Sequence, residues 1–326
     1  MGIEVVGING GYAGLMQEDM LPLTLKHVNN VVSMGGTFLY SSRCLEFKTE
    51  EGVQKAVESC KKHEIDALIC IGGDGTFRGA TDMTNHGIPS IGLPATIDND
   101  ITATDNTIGF DTAINTTVQM IDNLRDTCES HARLNVVEVM GRDCGLLALR
   151  AAIASGAVAV AVPEVPFDEA AAIEKIRQLR DNGKRGMVVV VSEGVFTPEG
   201  KSYAEALTKK IQEQTGVETK FARFGHVVRG GSPSANDRIL ASRVASRAIE
   251  YLVEGGSDVV MCELDGKIAP VDINFALKTD MLYKKRLKPG ALDNVAPETV
   301  EKMEAICAQR TEELLALHKI ACDVSF

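Results

Sequence analysis

Short apolar runs rich in β-branched residues alternate with helical repeats along most of this chain. Unbroken runs of this kind predict strands buried on both faces, as in parallel sheets. A helical repeat is seen in Ile114, Val118, Ile121 and Leu124, which recur every three or four residues. The predicted strands are EVVGI at 4–8, ALICIGG at 67–73, SIGL at 90–93, NVVEVM at 135–140, AVAV at 157–160 and MVVVVSEG at 187–194.

This alternation predicts an α/β fold with two doubly wound, largely parallel-sheet domains. A length of 326 residues is sufficient for two such domains. In sheets of this class, ligands collect at the carboxyl ends of the strands. The tail from 297 to 320 has apolar residues at helical spacing. We expect it to form an amphipathic helix that packs on the protein body or on a second copy.

Composition narrows the class of protein. A net charge of −11, without a run rich in Lys or Arg, argues against general nucleic-acid binding. No apolar run approaches the roughly 18 residues that cross a bilayer, so no membrane partner is expected. The first residues also lack a basic stretch followed by an apolar core, which predicts no secretory signal. The eight cysteines are scattered singly, so we expect free thiols in a reducing cytoplasm.

The stretch PATIDNDITATDN at 94–106 holds an unusual concentration of acidic and amide residues. Asp98 and Asp100 stand two positions apart, just after an apolar run. In extended chain this spacing places both side chains on the same side. Two like charges so placed repel unless a metal ion, a basic partner or a transferable proton lies between them. The stretch therefore predicts a functional site.

Three more segments carry residues that are suited to ligand binding or catalysis. IGGDGTFRGA at 71–80 combines glycines, which let the backbone approach a ligand, with the carboxylate of Asp74. VEVMGRDCG at 137–145 carries Arg142, and FGHVVRGGSP at 224–233 carries His226 and Arg229. Alone, each has an ordinary structural interpretation, and GGDGT also occurs in NAD kinases and lipid kinases. Together, carboxylates and basic loops at strand ends favour phosphoryl transfer.

These motifs, in their order along the chain, resemble those of the 6-phosphofructokinases. The resemblance runs nearly collinearly from about residue 2 to about residue 280. The motifs are GGDG at 72–75, TIDND at 96–100, TIGFDTA at 107–113, EVMGR at 138–142, PEV at 163–165, SEG at 192–194 and GHVVRGGSPSANDRILASR at 225–243.

The resemblance implies a role for each matching residue. Asp98 would be the general base for the 1-hydroxyl of fructose 6-phosphate, with Thr96 and Arg142 beside the transferred phosphoryl group of ATP. Asp74 and Asp100 would hold Mg²⁺. The implied sugar-phosphate set is Thr96, Asp98, Arg133, Met140, Gly141, Arg142, Glu193, Lys220, His226 and Arg229. The implied nucleotide set is Tyr12, Arg43, Cys44, Asp74, Gly75, Thr76 and Gly79.

The same resemblance implies a homotetramer in which subunits share sites. Arg133 and Lys220 would serve the fructose 6-phosphate of a neighbouring subunit. Lys220 stands where the family usually has arginine, and lysine lacks the bidentate fork, so weaker substrate binding is expected. The implied nucleotide and Mg²⁺ domain comprises residues 1–109 and 228–278. The sugar-phosphate domain comprises 110–227 and 279–326, including a C-terminal helical extension.

Other departures from the family bear on donor and regulation. Diphosphate-using relatives carry aspartate at position 75 and lysine at position 95, so Gly75 and Ala95 favour ATP. Bacterial relatives bind an allosteric nucleotide through several charged residues. Three of those positions are uncharged in this chain, namely Leu25, Val158 and Asn182, while Arg125 and Lys184 are retained.

The beginning of the chain leaves a further question open. The family's first strand, glycine loop and helix precede the segment that this chain begins with. The resemblance therefore predicts an exposed groove beside EVVGI and little kinase activity for this chain alone. The alternatives are a diphosphate-dependent enzyme, a catalytically impaired or non-catalytic chain and, more remotely, an NAD-binding oxidoreductase, for which no GxGxxG is seen.

Overall fold

The computed structural model describes residues 2–324. Its strands are β1 Val6–Ile8, β2 Met20–Pro22, β3 Leu68–Gly72, β4 Ser90–Pro94, β5 Leu134–Val139, β6 Ala159–Ala161, β7 Met187–Ser192, β8 Thr219–Arg223, β9 Val259–Leu264 and β10 Lys267–Asp272. Its helices are α1 Tyr12–Gln17, α2 Leu25–Val28, α3 Glu50–Lys62, α4 Asp74–Asn85, α5 Phe110–His131, α6 Leu146–Ser155, α7 Glu169–Asp181, α8 Tyr203–Thr215, α9 Ala235–Val253, α10 Ile273–Tyr283 and α11 Pro297–Asp323.

The chain divides into two compact units. Unit 1 comprises residues 1–96, 101–108 and 231–307, and unit 2 comprises 97–100, 109–230 and 308–326. These limits differ from the predicted domain limits chiefly at 97–100 and 279–307. Ile97 packs against a core cluster of unit 2. Thr279, in contrast, accepts a hydrogen bond from Cys307 inside unit 1.

Unit 1 is built on a four-stranded sheet in the order β10-β9-β4-β3. Strands β3, β4 and β9 are parallel, and β10 pairs with β9 in the antiparallel direction. The central strand β4 is buried along its whole length. Gly92 in this strand permits close packing, because a Cβ there would lie 2.7 Å from the ring of Phe77 on α4. The result is a dense contact between the sheet and the helix that follows GGDG.

The edge of this sheet is exposed beside β3. Ile71 on β3 is 61% exposed, although it belongs to an apolar strand. Strand β1 does not join the sheet and pairs with β2 in a separate two-stranded antiparallel sheet. Val5 and Val6 of the EVVGI segment are also exposed. Apolar side chains are therefore exposed both on β3 and in the EVVGI segment, and the groove expected beside EVVGI stays a prediction.

Unit 2 is built on a fully parallel sheet in the order β6-β7-β5-β8. Successive residues of β5 point to opposite faces, so Val137 and Val139 pack in one core cluster and Leu134 and Val136 in another. Helices cover both faces of this sheet, which confirms the prediction of strands buried on both sides. Leu314 of the tail helix α11 joins the first cluster.

The predicted strands lie within one or two residues of the observed ones, and the predicted tail helix ends at Asp323. All eight cysteines are free thiols. Within residues 2–324 no helix is long and apolar enough to cross a membrane.

Candidate active site

The two aspartates of TIDND lie in a turn of unit 2 rather than in extended chain. Strand β4 ends at Pro94, and Asn99, between the aspartates, has a left-handed backbone with φ of 49°. The expectation that extended geometry places Asp98 and Asp100 on the same side is therefore wrong. Asparagine enters the left-handed region more readily than most residues. This turn directs both carboxylates toward one arginine.

That arginine is Arg142, in the loop after β5. Its Nε lies 3.8 Å from Asp98 Oδ2, and its Nη1 lies 3.8 Å from Asp100 Oδ2. The Asp98 side chain is almost inaccessible, whereas that of Arg142 is 61% exposed. Separations of 3.8 Å exceed hydrogen-bond distance. The guanidinium therefore offsets both negative charges while much of its surface stays open to another anion.

The ionisation of Asp98 is perturbed. Burial raises the pKa of its carboxyl, and the negative charge of Asp100 raises it further. The positive charges of Arg229 and Arg142 lower this pKa without cancelling the rise. A carboxylate with a raised pKa is a stronger base than an ordinary aspartate. A buried group perturbed by specific charged neighbours is also typical of catalytic sites.

The loop that carries Arg142 has an uncommon backbone. Gly141 has φ of 140° and Arg142 has φ of 54°. A non-glycine residue in the left-handed region costs on the order of 1–3 kcal/mol and persists where its surroundings fix it. Glu193 Oε1 accepts hydrogen bonds from the N–H groups of Gly141, at 3.2 Å, and Arg142, at 3.0 Å. Glu193 therefore positions the arginine.

Glu164 anchors the other end of this loop, and sequence reasoning gave it no role. Its Oε1 accepts a hydrogen bond from Gly145 N at 2.8 Å, just before α6. Burial raises the pKa of Glu164, and its Oε2 is buried without a hydrogen-bond partner among residues 2–324. The packing is tight, because a Cβ on Gly145 would lie 2.6 Å from Oε2. The only sequence signal for this residue is the PEV motif.

A cleft of about 500 Å³ opens in unit 2 at the carboxyl ends of β5, β7 and β8. Met140, Arg142, Glu193 and His226, all predicted to bind sugar phosphate, line it. Arg229 lies on the same short 3₁₀ turn as His226, and both side chains are exposed. The structure thus brings these predicted residues together at one edge of the sheet.

The floor of the cleft contains an ion-pair network that sequence reasoning did not predict. Glu138, on β5, pairs with Arg223 at the end of β8 and accepts a hydrogen bond from Ser202 Oγ. Arg223 also contacts Glu205 on α8 at 3.1 Å. This network ties the ends of β5 and β8 together below the loop that bears His226. The EVMGR motif contains Glu138, but its pairing with Arg223 depends on sheet register.

Two predicted sugar-phosphate residues lie elsewhere in unit 2. Arg133 precedes β5 and Lys220 is the second residue of β8, so both lie near the amino ends of these strands. Along the strands, Arg133 lies five residues before Glu138, roughly 17 Å, and Lys220 lies three residues before Arg223, roughly 10 Å. Both contact Glu218. Neither side chain lines the cleft of its own chain.

In unit 1, the GGDG segment leads directly into α4. Asp74 is the first residue of this helix. Its Oδ1 accepts from Gly75 N at 2.9 Å, and its Oδ2 pairs with Arg78 at 3.0 Å. A Cβ on Gly75 would meet no atom of residues 2–324 within 4 Å. The backbone at Gly75 therefore faces open space that can receive a ligand.

Tyr12 packs against the first turn of α4 and stabilises it. Its hydroxyl donates to the carbonyl of Thr76 at 2.7 Å, and its ring stacks on Phe47 with 4.0 Å between centroids. Gly79 makes room for the ring, since a Cβ there would lie 2.5 Å from it. The structure thus brings together three predicted nucleotide residues, Tyr12, Thr76 and Gly79, and their mutual packing orients the first turn of α4.

The remaining predicted residues of unit 1 are Arg43, Cys44 and Thr96. Arg43 is exposed, and the Cys44 thiol lies 3.7 Å from the sulfur of Met16. The carbonyl of Thr96 accepts a hydrogen bond from Thr107 Oγ1 at 2.6 Å. Across residues 2–324, no three His, Cys, Asp or Glu side chains converge into a ready-made metal site.

Comparison with known proteins yields consistent matches. The family model described as Phosphofructokinase matches residues 1–252. The "ATP-dependent 6-phosphofructokinase 1" of Clostridium perfringens is 46% identical over 286 residues, 88% of each chain. The "ATP-dependent 6-phosphofructokinase" of Brevibacillus brevis is 48% identical over 275 residues, 84% of each chain.

A solved structure agrees with these sequence matches. The phosphofructokinase from Saccharomyces cerevisiae superimposes with a TM-score of 0.80 at 29% identity and covers 95% of this chain. This chain spans about half of the yeast protein, 46% of its length.

Proposed function

This chain belongs to the phosphofructokinase family, and on that premise we propose that it transfers the γ-phosphoryl group of ATP to the 1-hydroxyl of fructose 6-phosphate. The products are fructose 1,6-bisphosphate and ADP, and the reaction is a step of glycolysis. The observation that carries the proposal is the group formed by Asp98, Asp100 and Arg142 in unit 2. A buried base and an exposed arginine, held side by side, are what this transfer requires.

In the proposed mechanism, Asp98 accepts the proton of the 1-hydroxyl as its oxygen attacks the γ-phosphorus. The raised pKa of Asp98 makes it a better proton acceptor than an exposed aspartate. Arg142 stabilises the charge that spreads over the transferred oxygens, because its guanidinium is exposed and its backbone N–H is held by Glu193. The bond between the γ-phosphorus and the bridging oxygen breaks, and ADP leaves. Thr96 is the further residue proposed beside the phosphoryl group.

Magnesium is proposed to bind through Asp100 and Asp74. The residues fit this ion chemically, since Mg²⁺ takes one or two carboxylates and completes its shell with phosphate oxygens and water. Asp100 is largely buried and raises the pKa of Asp98, so a nearby cation relieves the repulsion. Asp74 begins a helix and has a side chain that is 40% exposed. When bound, the ion offsets the negative charge of the nucleotide phosphates.

ATP rather than diphosphate is the phosphoryl donor, and the two bacterial relatives are named for the same donor. The backbone of Gly75 faces open space at the start of α4. A carboxylate at this position would fill that space and repel the α-phosphate of a nucleotide. We place the nucleotide there, against Gly75, Thr76 and Gly79, with Arg43 and Cys44 as further contacts.

The sugar phosphate is proposed to bind in the cleft of unit 2, against Met140, Gly141, Glu193, His226 and Arg229. Arg133 and Lys220 lie at the opposite edge of the same sheet. This separation supports a homo-oligomer, proposed as a tetramer, in which they serve the sugar phosphate of another copy. The eight free thiols support function in a reducing cytoplasm.

The proposal is tested by incubating the purified chain with fructose 6-phosphate, MgCl₂ and either ATP or diphosphate. Formation of fructose 1,6-bisphosphate with ATP, and not with diphosphate, is expected. An Asp98→Asn variant should lose about 10²- to 10⁴-fold in kcat, the usual contribution of a general base, while its dissociation constant for fructose 6-phosphate changes little. An Asp98→Asn enzyme within threefold of wild-type turnover would refute the assignment of the base.

A further inference from the structure

Three charged side chains at the amino ends of β5 and β8 form two ion pairs that share one carboxylate. Arg133 Nε lies 2.8 Å from Glu218 Oε2, and Lys220 Nζ lies 2.9 Å from Glu218 Oε1. Each carboxylate oxygen therefore faces one cation. We call this group the Arg133–Glu218–Lys220 triad. All three residues belong to unit 2.

Sheet register sets the composition of the triad. Strands β5 and β8 run parallel, with Leu134 opposite Thr219. The N–H of Leu134 donates to the carbonyl of Glu218 at 3.0 Å, which places Arg133 and Glu218 side by side where the strands begin. Lys220, on β8, follows Glu218 by two positions, and the 2.9 Å contact shows that their side chains point to the same side. The pairing of the two strands thus places the Glu218 carboxylate between the two cationic side chains.

The charge of the triad bears directly on anion binding. Arg133 and Lys220 lower the pKa of Glu218 to about 2, so Glu218 is ionised throughout the physiological pH range. The side chains of Glu218 and Lys220 are 46% and 56% exposed. Ion pairs that face solvent are individually weak. The carboxylate can therefore rotate into water when a stronger anion approaches the two cations.

We infer that Glu218 occupies the position of the substrate phosphate and is displaced by it, so that Glu218 lowers the affinity of this site for anions. The inference rests on the proposed function, in which Arg133 and Lys220 hold the sugar phosphate of another copy. A phosphate monoester carries close to two negative charges at neutral pH. It therefore attracts the cations about twice as strongly as a carboxylate at equal distance. A singly charged sulfate ester has no such advantage over Glu218.

The test compares two ligands and two variants of the full chain. Binding of fructose 6-phosphate and fructose 6-sulfate is measured by titration calorimetry at low and at physiological salt. The variant is Glu218→Gln, which keeps the side-chain length and removes the charge. The control is Glu174→Gln, which removes one exposed charge from α7, where Glu174 pairs with Arg177. Thermal unfolding of each protein checks that the fold is retained.

In Glu218→Gln, fructose 6-sulfate should bind about five- to tenfold more tightly, the scale of one exposed unit charge a few ångströms away. Fructose 6-phosphate should gain at least as much, because the cost of displacing Glu218 is the same for both esters and the doubly charged phosphate is repelled more strongly by a nearby carboxylate. Both gains should shrink at higher salt. The Glu174→Gln control should bind both esters as the wild type does. Unchanged or weaker binding of both esters in Glu218→Gln would overturn the inference and would assign Glu218 a purely orienting role.

A Lys220→Ala variant separates this inference from the proposed function. If Lys220→Ala weakens binding of fructose 6-phosphate while Glu218→Gln does not strengthen binding of the sulfate ester, only the displacement inference fails. If Lys220→Ala leaves binding of fructose 6-phosphate unchanged, the assignment of this site to the sugar phosphate fails, and the inference fails with it.

Discussion

The guanidinium of Arg142 lies 3.8 Å from the carboxylate of Asp98, near enough to lower its pKa and too far to form a hydrogen bond with it. A direct hydrogen bond would occupy the oxygen that accepts the proton, and it would use N–H groups of the arginine that are needed for the phosphoryl oxygens. At the observed distance, the arginine keeps surface for the reaction. The separation is maintained by Glu193, which binds the backbone of Arg142 rather than its side chain.

We expect Arg142→Lys to lower kcat by about 10²-fold or more, the usual cost of losing one donor to a charged transition state. Lysine keeps the positive charge but loses the planar fork that spreads over phosphoryl oxygens. Steady-state kinetics with ATP and fructose 6-phosphate measure this effect. Arg243→Lys, which alters a partly buried ion pair with Glu263 in unit 1, is the matched control. A kcat within threefold of wild type for Arg142→Lys would contradict the assigned role.

The acid limb of the pH profile should reflect Asp98. Because its pKa is raised above the ordinary aspartate value of 3.8, the base form is lost at a higher pH than for an exposed aspartate. In Asp100→Asn, removal of the neighbouring negative charge should move the limb of kcat/KM to lower pH, in addition to any loss of rate. In Arg142→Gln, removal of a positive charge should move it to higher pH. Identical limbs in all three proteins would show that another group controls the profile.

The stability of the chain should also respond to Asp98. A raised pKa means that the folded state binds this proton more tightly than the unfolded state. The stabilisation is therefore fully present below the unfolded pKa and is lost as pH rises through the folded pKa. Asp98→Asn should accordingly unfold at a higher temperature than wild type at pH 7.5, and the difference should shrink as pH is lowered toward 4. A lower unfolding temperature for Asp98→Asn at pH 7.5 would contradict this account.

Donor choice should depend on positions 75 and 95. Gly75→Asp combined with Ala95→Lys should weaken ATP binding, because the added carboxylate enters the space beside the nucleotide phosphates. The open surroundings of Gly75 make the aspartate sterically acceptable, so the change acts through charge. Gly75→Asn with Ala95→Met is the uncharged control. Unchanged KM for ATP in the charged double variant would show that these positions do not select the donor.

ADP should have little effect on the saturation curve for fructose 6-phosphate. Val158 is 1% exposed within an apolar core cluster, and Leu25 is 87% exposed without a charge to offer. Asn182, directly after α7, is likewise uncharged. Initial rates at fixed ATP and magnesium, with and without millimolar ADP, measure the effect. A clear shift of the curve to lower fructose 6-phosphate would show that an effector site remains.

The sequence by itself determined the fold class and most of the candidate site. Continuous β-branched runs predicted strands buried on both faces, because a residue between two helical layers cannot be polar without a partner. The motifs EVMGR and GHVVRGGSP follow two strands of one parallel sheet, whose loops gather at the same edge, so Arg142 and His226 were expected close together. Asp98 and its role were implied by the resemblance of TIDND to the family motif, since the strand before it belongs to the other sheet.

Only the tertiary structure decided how these residues meet. The left-handed backbone at Asn99 and Arg142 is not encoded in any local periodicity, yet it aims the carboxylates and the guanidinium at each other. Glu164 and Glu193 act on the Arg142 loop from segments that are distant in sequence. Glu218 contacts Arg133 because β5 and β8 are neighbours in the sheet. Sequence patterns report burial and local conformation, whereas such pairings depend on strand order and register, which are fixed by packing of the whole unit.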